Sequence, residues 1–415
     1  MVININKLKK SYSELSAFFS NAGHFLMHYF VAMYFTIILA LERDWNAAYE
    51  SLFELWFPAS IFIGLFAIPA GRLADKWSSP GMLIIMFLGM GLATVFCGFS
   101  DTQNILMIFL GFLGIFAAIY HPVGIPWTIK TSKKKPGMRL AINGLFGGIG
   151  ASGAAIITGW IIANYGWRAS FLIPGILCFI LGFVMFFSLQ LGFIEEGSSN
   201  IPEKKELKED STNIKGVIIM MIPMFIMGLI YSSIQGVMPK LFEERMPELL
   251  DGRIELIGTI VGSVYAVGAI SQILGGYLAD RLPLKNLYLG LWIIQAPLLL
   301  LISELGGITL AILVGILTMS GTSILPSENI ILSKFASKEN QGLTFGIKFL
   351  VSFCAAPIGV FLITFFREMT GQFNALIISL SILSLFACIA ILFLPGRLEK
   401  RDSTKLNFDP TIRNI

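Results

Sequence analysis

The chain has 415 residues, of which 55% are hydrophobic and 13% charged, against the ~25% charge typical of a soluble domain. Its 30 basic and 26 acidic residues nearly cancel, which excludes a disordered polyelectrolyte and gives no nucleic-acid footprint. The apolar runs are long and continuous, which argues against a transmembrane β-barrel and for helices of roughly 20 residues that cross a bilayer.

In chain order, Lys7, Lys9 and Lys10 precede a first apolar run over 17–41. That run is too long for a signal-peptide core and lacks a small-x-small cleavage site, so it is expected to remain as span 1 behind a cytoplasmic segment 1–16. His24 and His28, four residues apart, share one face of it. Spans 2 and 3 are predicted over 51–71 and 81–99, with Gly71-Arg72-Leu73-Ala74-Asp75-Lys76 between them. Span 4, over 104–129, carries Tyr120-His121-Pro122 and no Arg. The basic cluster Lys130, Lys133, Lys134, Lys135 and Arg139 follows it. Span 5, over 140–164, holds Asn143 and the glycines Gly144, Gly147, Gly148, Gly150, Gly153 and Gly159; span 6 covers 168–193.

The polar stretch 194–214, with Glu195, Glu196, Lys204, Lys205, Lys208 and Asp210, divides the chain almost in half and is expected to link two bundles, 17–193 and 215–395. Spans 7 to 12 are placed at 215–238, 256–279, 284–303, 307–331, 342–366 and 372–395, ahead of a cytoplasmic tail over 396–415. Gln235 lies on span 7, Glu328 on span 10 and Lys348 on span 11. Spans 10 and 11 run in opposite directions, so Glu328 and Lys348 are expected at similar depth, where a charge needs a partner or a function. Cys97, Cys178, Cys354 and Cys388 sit in apolar runs without a CxxC spacing and are expected to be small buried hydrophobes. Trp45, Trp77, Trp127 and Trp167 fall near span ends, as interfacial anchors do.

Loop charges set the orientation. With the N-terminus in the cytoplasm, the far side holds six basic residues (Arg43, Arg168, Lys240, Arg245, Arg253 and Arg367), Lys348 lies within a span, and the other 23 of the 30 are cytoplasmic. Both termini are therefore expected on the cytoplasmic side.

The halves repeat at an offset of about 205 residues: Gly71-Arg72-Leu73-Ala74-Asp75-Lys76 returns as Gly276-Tyr277-Leu278-Ala279-Asp280-Arg281. In the same register Gly23 falls on Gly228, Lys133 on Lys338, Gly137 on Gly342, Asn143 on Lys348 and Gly166 on Gly371, and Pro122 falls one residue off Pro326. A duplicated bundle makes a two-fold-related pair with a natural cavity at the seam.

The doubled motif on a six-plus-six frame resembles the major facilitator superfamily, over about residues 15–396. The resemblance implies an all-α membrane fold of twelve transmembrane helices in two six-helix bundles related by pseudo-two-fold symmetry. It implies alternating access about a midplane site lined by spans 1, 4, 7 and 10 and flanked by 2, 5, 8 and 11. Gly71 and Gly276 would allow close helix approach. Asp75 and Asp280 would meet a helix N-terminus or Arg72, Lys76 and Arg281 and so bias the conformational equilibrium. The glycine-rich span 5 is similar to the family's antiporter motif, although Ala154 and Ala155 stand where a Pro is usual. With His121-Pro122 and Gly166-Trp167-Arg168, it loosely resembles the fosmidomycin-resistance-type exporters.

The expected binding residues are His24, His28, His121, Asn143, Gln235, Glu328 and Lys348. Their positive balance favours a small anionic or zwitterionic solute, moved by a secondary transporter in proton-coupled export. Proton-coupled uptake of a monocarboxylate-like metabolite stays open, as does a transport-inactive sensor or assembly partner. No Walker A segment or catalytic constellation is present, so no enzyme and no cofactor are expected. A three-histidine metal site, with no carboxylate or Cys ligand beside it, is not expected either. The expected partners are the solute, protons and membrane lipids, with the chain a monomer in a bacterial inner membrane. Reporter fusions at residue 205 and at the C-terminus should both report cytoplasm; an external signal at either would break the twelve-span count.

Overall fold

The computed structural model describes residues 5–132, 136–194, 212–337 and 341–395. Lys133 to Lys135, Lys338, most of the linker 194–214 and the tail 396–415 lie outside the described residues, as do the side chains of Lys7, Lys9, Lys10 and Gly342's surroundings.

Fourteen helices make twelve spans among these residues. The first bundle contains α1 (Ile5–Trp45), α2 (Tyr49–Glu54), α3 (Phe57–Lys76), α4 (Ser79–Gly98), α5 (Gln103–Ala117), α6 (Tyr120–Thr131) and α7 (Pro136–Gln190). The second contains α8 (Ile214–Arg245), the single turn α9 (Pro247–Leu250), α10 (Ile254–Ala279), α11 (Leu284–Glu304), α12 (Gly307–Phe335), α13 (Gln341–Thr370) and α14 (Asn374–Leu392).

Two spans are broken, and proline accounts for both breaks. Pro58 cannot donate to the carbonyl four residues back, and α2 ends there, at Glu54. Pro122 likewise leaves residue 118 without its donor, and the chain interrupts its helix at Ala118 and Ile119 before resuming as α6. The long α7 is two spans joined at Gly166, whose φ of 79° no ordinary side chain adopts readily. Its repeat counterpart, Gly371, turns the chain between α13 and α14 with φ 69°. The two halves thus use the same left-handed glycine at the same place.

The helices alternate in direction, so the ends carrying Asp75 and Asp280 share one side of the molecule, here the motif end. The opposite side is the far end. Large apolar side chains such as Leu177, Phe187, Ile382 and Phe386 are exposed on the outer faces of α7 and α14, as a lipid-covered belt requires.

The bundles meet along two seams. On one, α7 and α10 approach backbone to backbone: a Cβ at Gly258 would lie 2.2 Å from Ala155 O, and one at Gly159 would lie 2.8 Å from Ile254 O. Ser152 Oγ donates to Gly262 O across this seam at 2.8 Å. On the other, α3 meets α13, where Gly64 faces Phe353. The glycines of α7 therefore have a packing account on two faces. Gly148, Gly159 and their neighbours meet α10, while Gly150 meets α1, where an added Cβ would stand 2.2 Å from Phe25 O. That account makes no reference to the direction of transport.

Three expectations need correction. Trp127 is wholly buried and Trp167 nearly so, its Nε1 donating to Asp44 Oδ2 at 2.9 Å, so neither is an interfacial anchor. Cys354 is exposed and Cys388 half-buried, so only Cys97 and Cys178 are core thiols. A Cβ at Gly71 would lie 3.2 Å from Pro122 Cβ, whereas at Gly276 it would meet nothing within 4 Å, so close packing explains the first motif glycine alone.

The packing separates two glycines of one helix. Gly150→Ala must displace the α1 backbone and should lower stability by about 1–3 kcal/mol. Gly144→Ala enters open space and should be neutral or stabilising by up to about 1 kcal/mol. Melting curves of the two variants check the contrast.

Candidate functional site

Helices α1, α6 and α7 hold a polar cluster inside the first bundle, with Asn143 at its centre. Its Nδ2 donates to Asn21 Oδ1 at 3.1 Å, and Tyr120 Oη donates to its Oδ1 at 3.0 Å. His24 Nδ1 lies 2.7 Å from Asn143 O and 3.1 Å from Asn143 Oδ1. A carbonyl oxygen only accepts, so Nδ1 carries the proton and Nε2 keeps its lone pair. The ring stacks on Tyr120 with centroids 4.7 Å apart. Gly147 makes room for it, since a Cβ there would stand 2.6 Å from Nε2.

His28 lies one turn along α1 and His121 begins the second residue of α6. The three imidazoles close a triangle, with centroids 5.0 Å apart for His24 and His28 and 5.5 Å for each of them to His121. His121 Nδ1 is buried without a hydrogen-bond partner among the described residues. On its other side His121 faces the second bundle, with Phe353 at 5.5 Å and Phe349 at 6.1 Å.

The second bundle carries a charged cluster at the repeat-related position. Lys348 Nζ lies 2.8 Å from Glu328 Oε1, with both side chains almost wholly buried. Lys348 also donates to Asn329 Oδ1, and Tyr288 Oη donates to Glu328 Oε2 at 3.1 Å. Phe349, next to Lys348 in sequence, is the ring stacked on His121, so α13 borders the seam at the level of Lys348.

The predicted site residues thus fall into two groups: His24, His28, His121 and Asn143, and Glu328 with Lys348. Gln235 is buried on α8, and no hydrogen bond or ion pair among the described residues joins it to either group. Tyr120, Gly147, Tyr288 and Asn329 were not anticipated. Asn329 adjoins Glu328 and could have been suspected; a tyrosine on span 9 or a glycine in a glycine-rich helix gives no such hint.

Of the motif residues, Asp75 is exposed and forms neither hydrogen bond nor ion pair among the described residues. Arg281 stacks over Tyr277 at 3.4 Å. At the far end, by contrast, ion pairs tie the bundles together. Lys240 of α8 reaches Glu42 of α1 at 2.6 Å and Glu243 at 2.9 Å. Arg43 of α1 reaches Glu243 at 2.5 Å, and Arg367 of α13 lies 4.0 Å from Glu50 of α2 and 2.5 Å from Glu244. Tyr49 of α2 is buried between the two cations, 5.8 Å from Lys240 and 5.9 Å from Arg367. Among the described residues no ion pair joins the bundles at the motif end.

The sequence model of the Major Facilitator Superfamily matches residues 17–252 and 220–411. A probable hexose phosphate transport protein of Chlamydia trachomatis is 25% identical over 181 residues, covering 43% of this chain and 40% of that one, so the chain matches less than half of that relative's length. The multidrug resistance protein MdtG of Dickeya zeae is 24% identical over 343 residues, 80% of this chain and 81% of the relative. Among solved structures, a bacterial homologue of the human lysosomal transporter Spinster, inward-facing and occupied, superposes with TM-score 0.70 at 13% identity, covering 92% of this chain and 94% of that one. At that identity the likeness speaks for the fold.

The far-end ties predict a gate. Lys240→Gln together with Arg367→Gln removes two partly buried ties of about 1 kcal/mol each. In a background without native cysteines, Phe53→Cys, buried against Gly236 of α8, should then react with maleimide roughly 30-fold faster; unchanged labelling would count against the gate.

Proposed function

The chain belongs to the major facilitator superfamily, and on that premise we propose that it is a secondary active transporter of a small anionic or zwitterionic solute, working by alternating access. The observation that carries the solute class is the buried Lys348–Glu328 pair at 2.8 Å beside the seam. An ammonium in the membrane interior needs an anion, an acid partner or water. Glu328 serves the empty protein; a solute carboxylate or phosphate can compete for the same ammonium. Competition leaves Glu328 in need of another cation, for which a proton serves, and this links solute binding to proton coupling. A transport protein for a phosphorylated sugar among the relatives agrees with an anionic cargo.

The alternating-access part rests on the asymmetry of the seam. Ion pairs and glycine contacts hold the bundles together at the far end, and none of the ion pairs among the described residues does so at the motif end. The loop sequences assign 23 of the 30 basic residues to the motif side; with that side read as cytoplasmic by this bias, the conformation is closed outward. Asp75, exposed and without an ion pair among the described residues, is available to bind when the motif end closes.

Four proteins decide the role of Lys348: wild type, Lys348→Ala, Glu328→Ala and the double variant. Lys348→Ala leaves a buried carboxylate alone and should lower stability by about 3–5 kcal/mol, with solute affinity down by roughly 30-fold or more. The double variant should regain the melting temperature and not the transport. Recovery of transport in the double variant would make the pair structural and sink the anion assignment.

A further inference from the structure

The histidines carry an assignment that goes beyond this reading and does not depend on it. One ligand nitrogen from each of His24, His28 and His121 lies within 4.8 Å of the other two. A tetrahedral ion bound at about 2.0–2.1 Å sets its imidazole nitrogens roughly 3.3 Å apart. The observed nitrogens need to close by at most about 1.5 Å, within the reach of small side-chain rotations.

Three further observations point the same way. First, Asn143 holds His24 by its Nδ1–H, the outer-shell arrangement that fixes the tautomer of a metal-ligating imidazole and leaves Nε2 to bind. Second, His121 Nδ1 is buried without a hydrogen-bond partner among the described residues, a state that a bound cation relieves. Third, no hydrogen bond or ion pair among the described residues brings a Lys or Arg to the trio, and Lys348 is engaged by Glu328 and Asn329. The donor set is three neutral nitrogens with no carboxylate, which suits Zn²⁺, Co²⁺, Ni²⁺ or Cu²⁺ and not Mg²⁺ or Ca²⁺. Three protein ligands leave a coordination position open. The packing of His121 against Phe349 and Phe353 places the cluster at the border of the seam.

We propose that His24, His28 and His121 form a binding site for one divalent first-row transition-metal ion, oriented by Asn143 and given room by Gly147. Its ligands come from α1 and α6 alone, so the ion sits within one bundle and does not pin the two together.

The test uses the full-length protein in detergent, freed of any histidine tag, with Co²⁺ as the probe. Cys354→Ser serves as background, which removes the one exposed thiol. Titration followed by visible absorption should give one Co²⁺ per chain with the bands of low-coordinate nitrogen ligation, displaced by Zn²⁺ and untouched by Mg²⁺. His28→Gln and His121→Gln should each weaken binding at least 100-fold, and Asn143→Ala by roughly 10–100-fold. Melting curves without metal establish that each variant is folded. If one is not, Gly147→Ala replaces it and should also weaken binding. A wild-type protein that takes up no Co²⁺, or one whose binding is the same in His28→Gln with His121→Gln, overturns the proposal.

Discussion

A polar group inside a bilayer has no water to fall back on, so it must find its partner in the protein. This constraint organises both halves of the molecule around one repeat position. In the first half the position is Asn143, and the partners are neutral: His24, Tyr120, Ser20 and Asn21. In the second half it is Lys348, and the partners are Glu328 and Asn329, with Tyr288 steadying the carboxylate. The duplicated frame supplied one place for a polar residue in each bundle, and the two places have diverged in charge. A transporter that needs one charged and one neutral polar wall facing a common seam can be built in this way without altering the helix packing.

The seam itself obeys a different rule. Without water to drive apolar surfaces together, helices in membranes associate where backbones can come close. The α7–α10 contact achieves this with Gly159, Gly258 and Gly262, supported by the Ser152 hydrogen bond. The contact is smooth and carries little charge. The ion pairs join other helices, α1 with α8 and α2 with α13, so close packing and electrostatic ties hold the bundles through different helix pairs.

Much of this was legible in the sequence. Span number, the repeat and the shared depth of Glu328 and Lys348 follow from run lengths and antiparallel counting, because a bilayer fixes the length of every helix. The common face of His24 and His28 follows from their spacing. What could not be read is which side chains converge across helices. His121 joins the trio from another helix, α6, and its spacing from His24 and His28 along the chain says nothing of that. The pairing of Lys240 with Glu42, and of Arg367 with Glu50, depends on which helix ends meet, whereas the sequence displays only loop charges. Trp127 and Trp167 looked interfacial by position along their spans, but burial is set by the angle around the helix, and both point inward.

The far-end ties have one more consequence. Their charged groups lie at a protein–water boundary, with Glu42 and Glu244 only partly covered. Dissolved ions weaken such pairs as the Debye length shrinks from about 10 Å at 0.1 M to about 3 Å at 1 M. The opposite end of the seam has no such inter-bundle pair among the described residues to weaken. Salt on the far side therefore loosens the closure there. The balance between the two conformations becomes a property of the surrounding medium as well as of the chain.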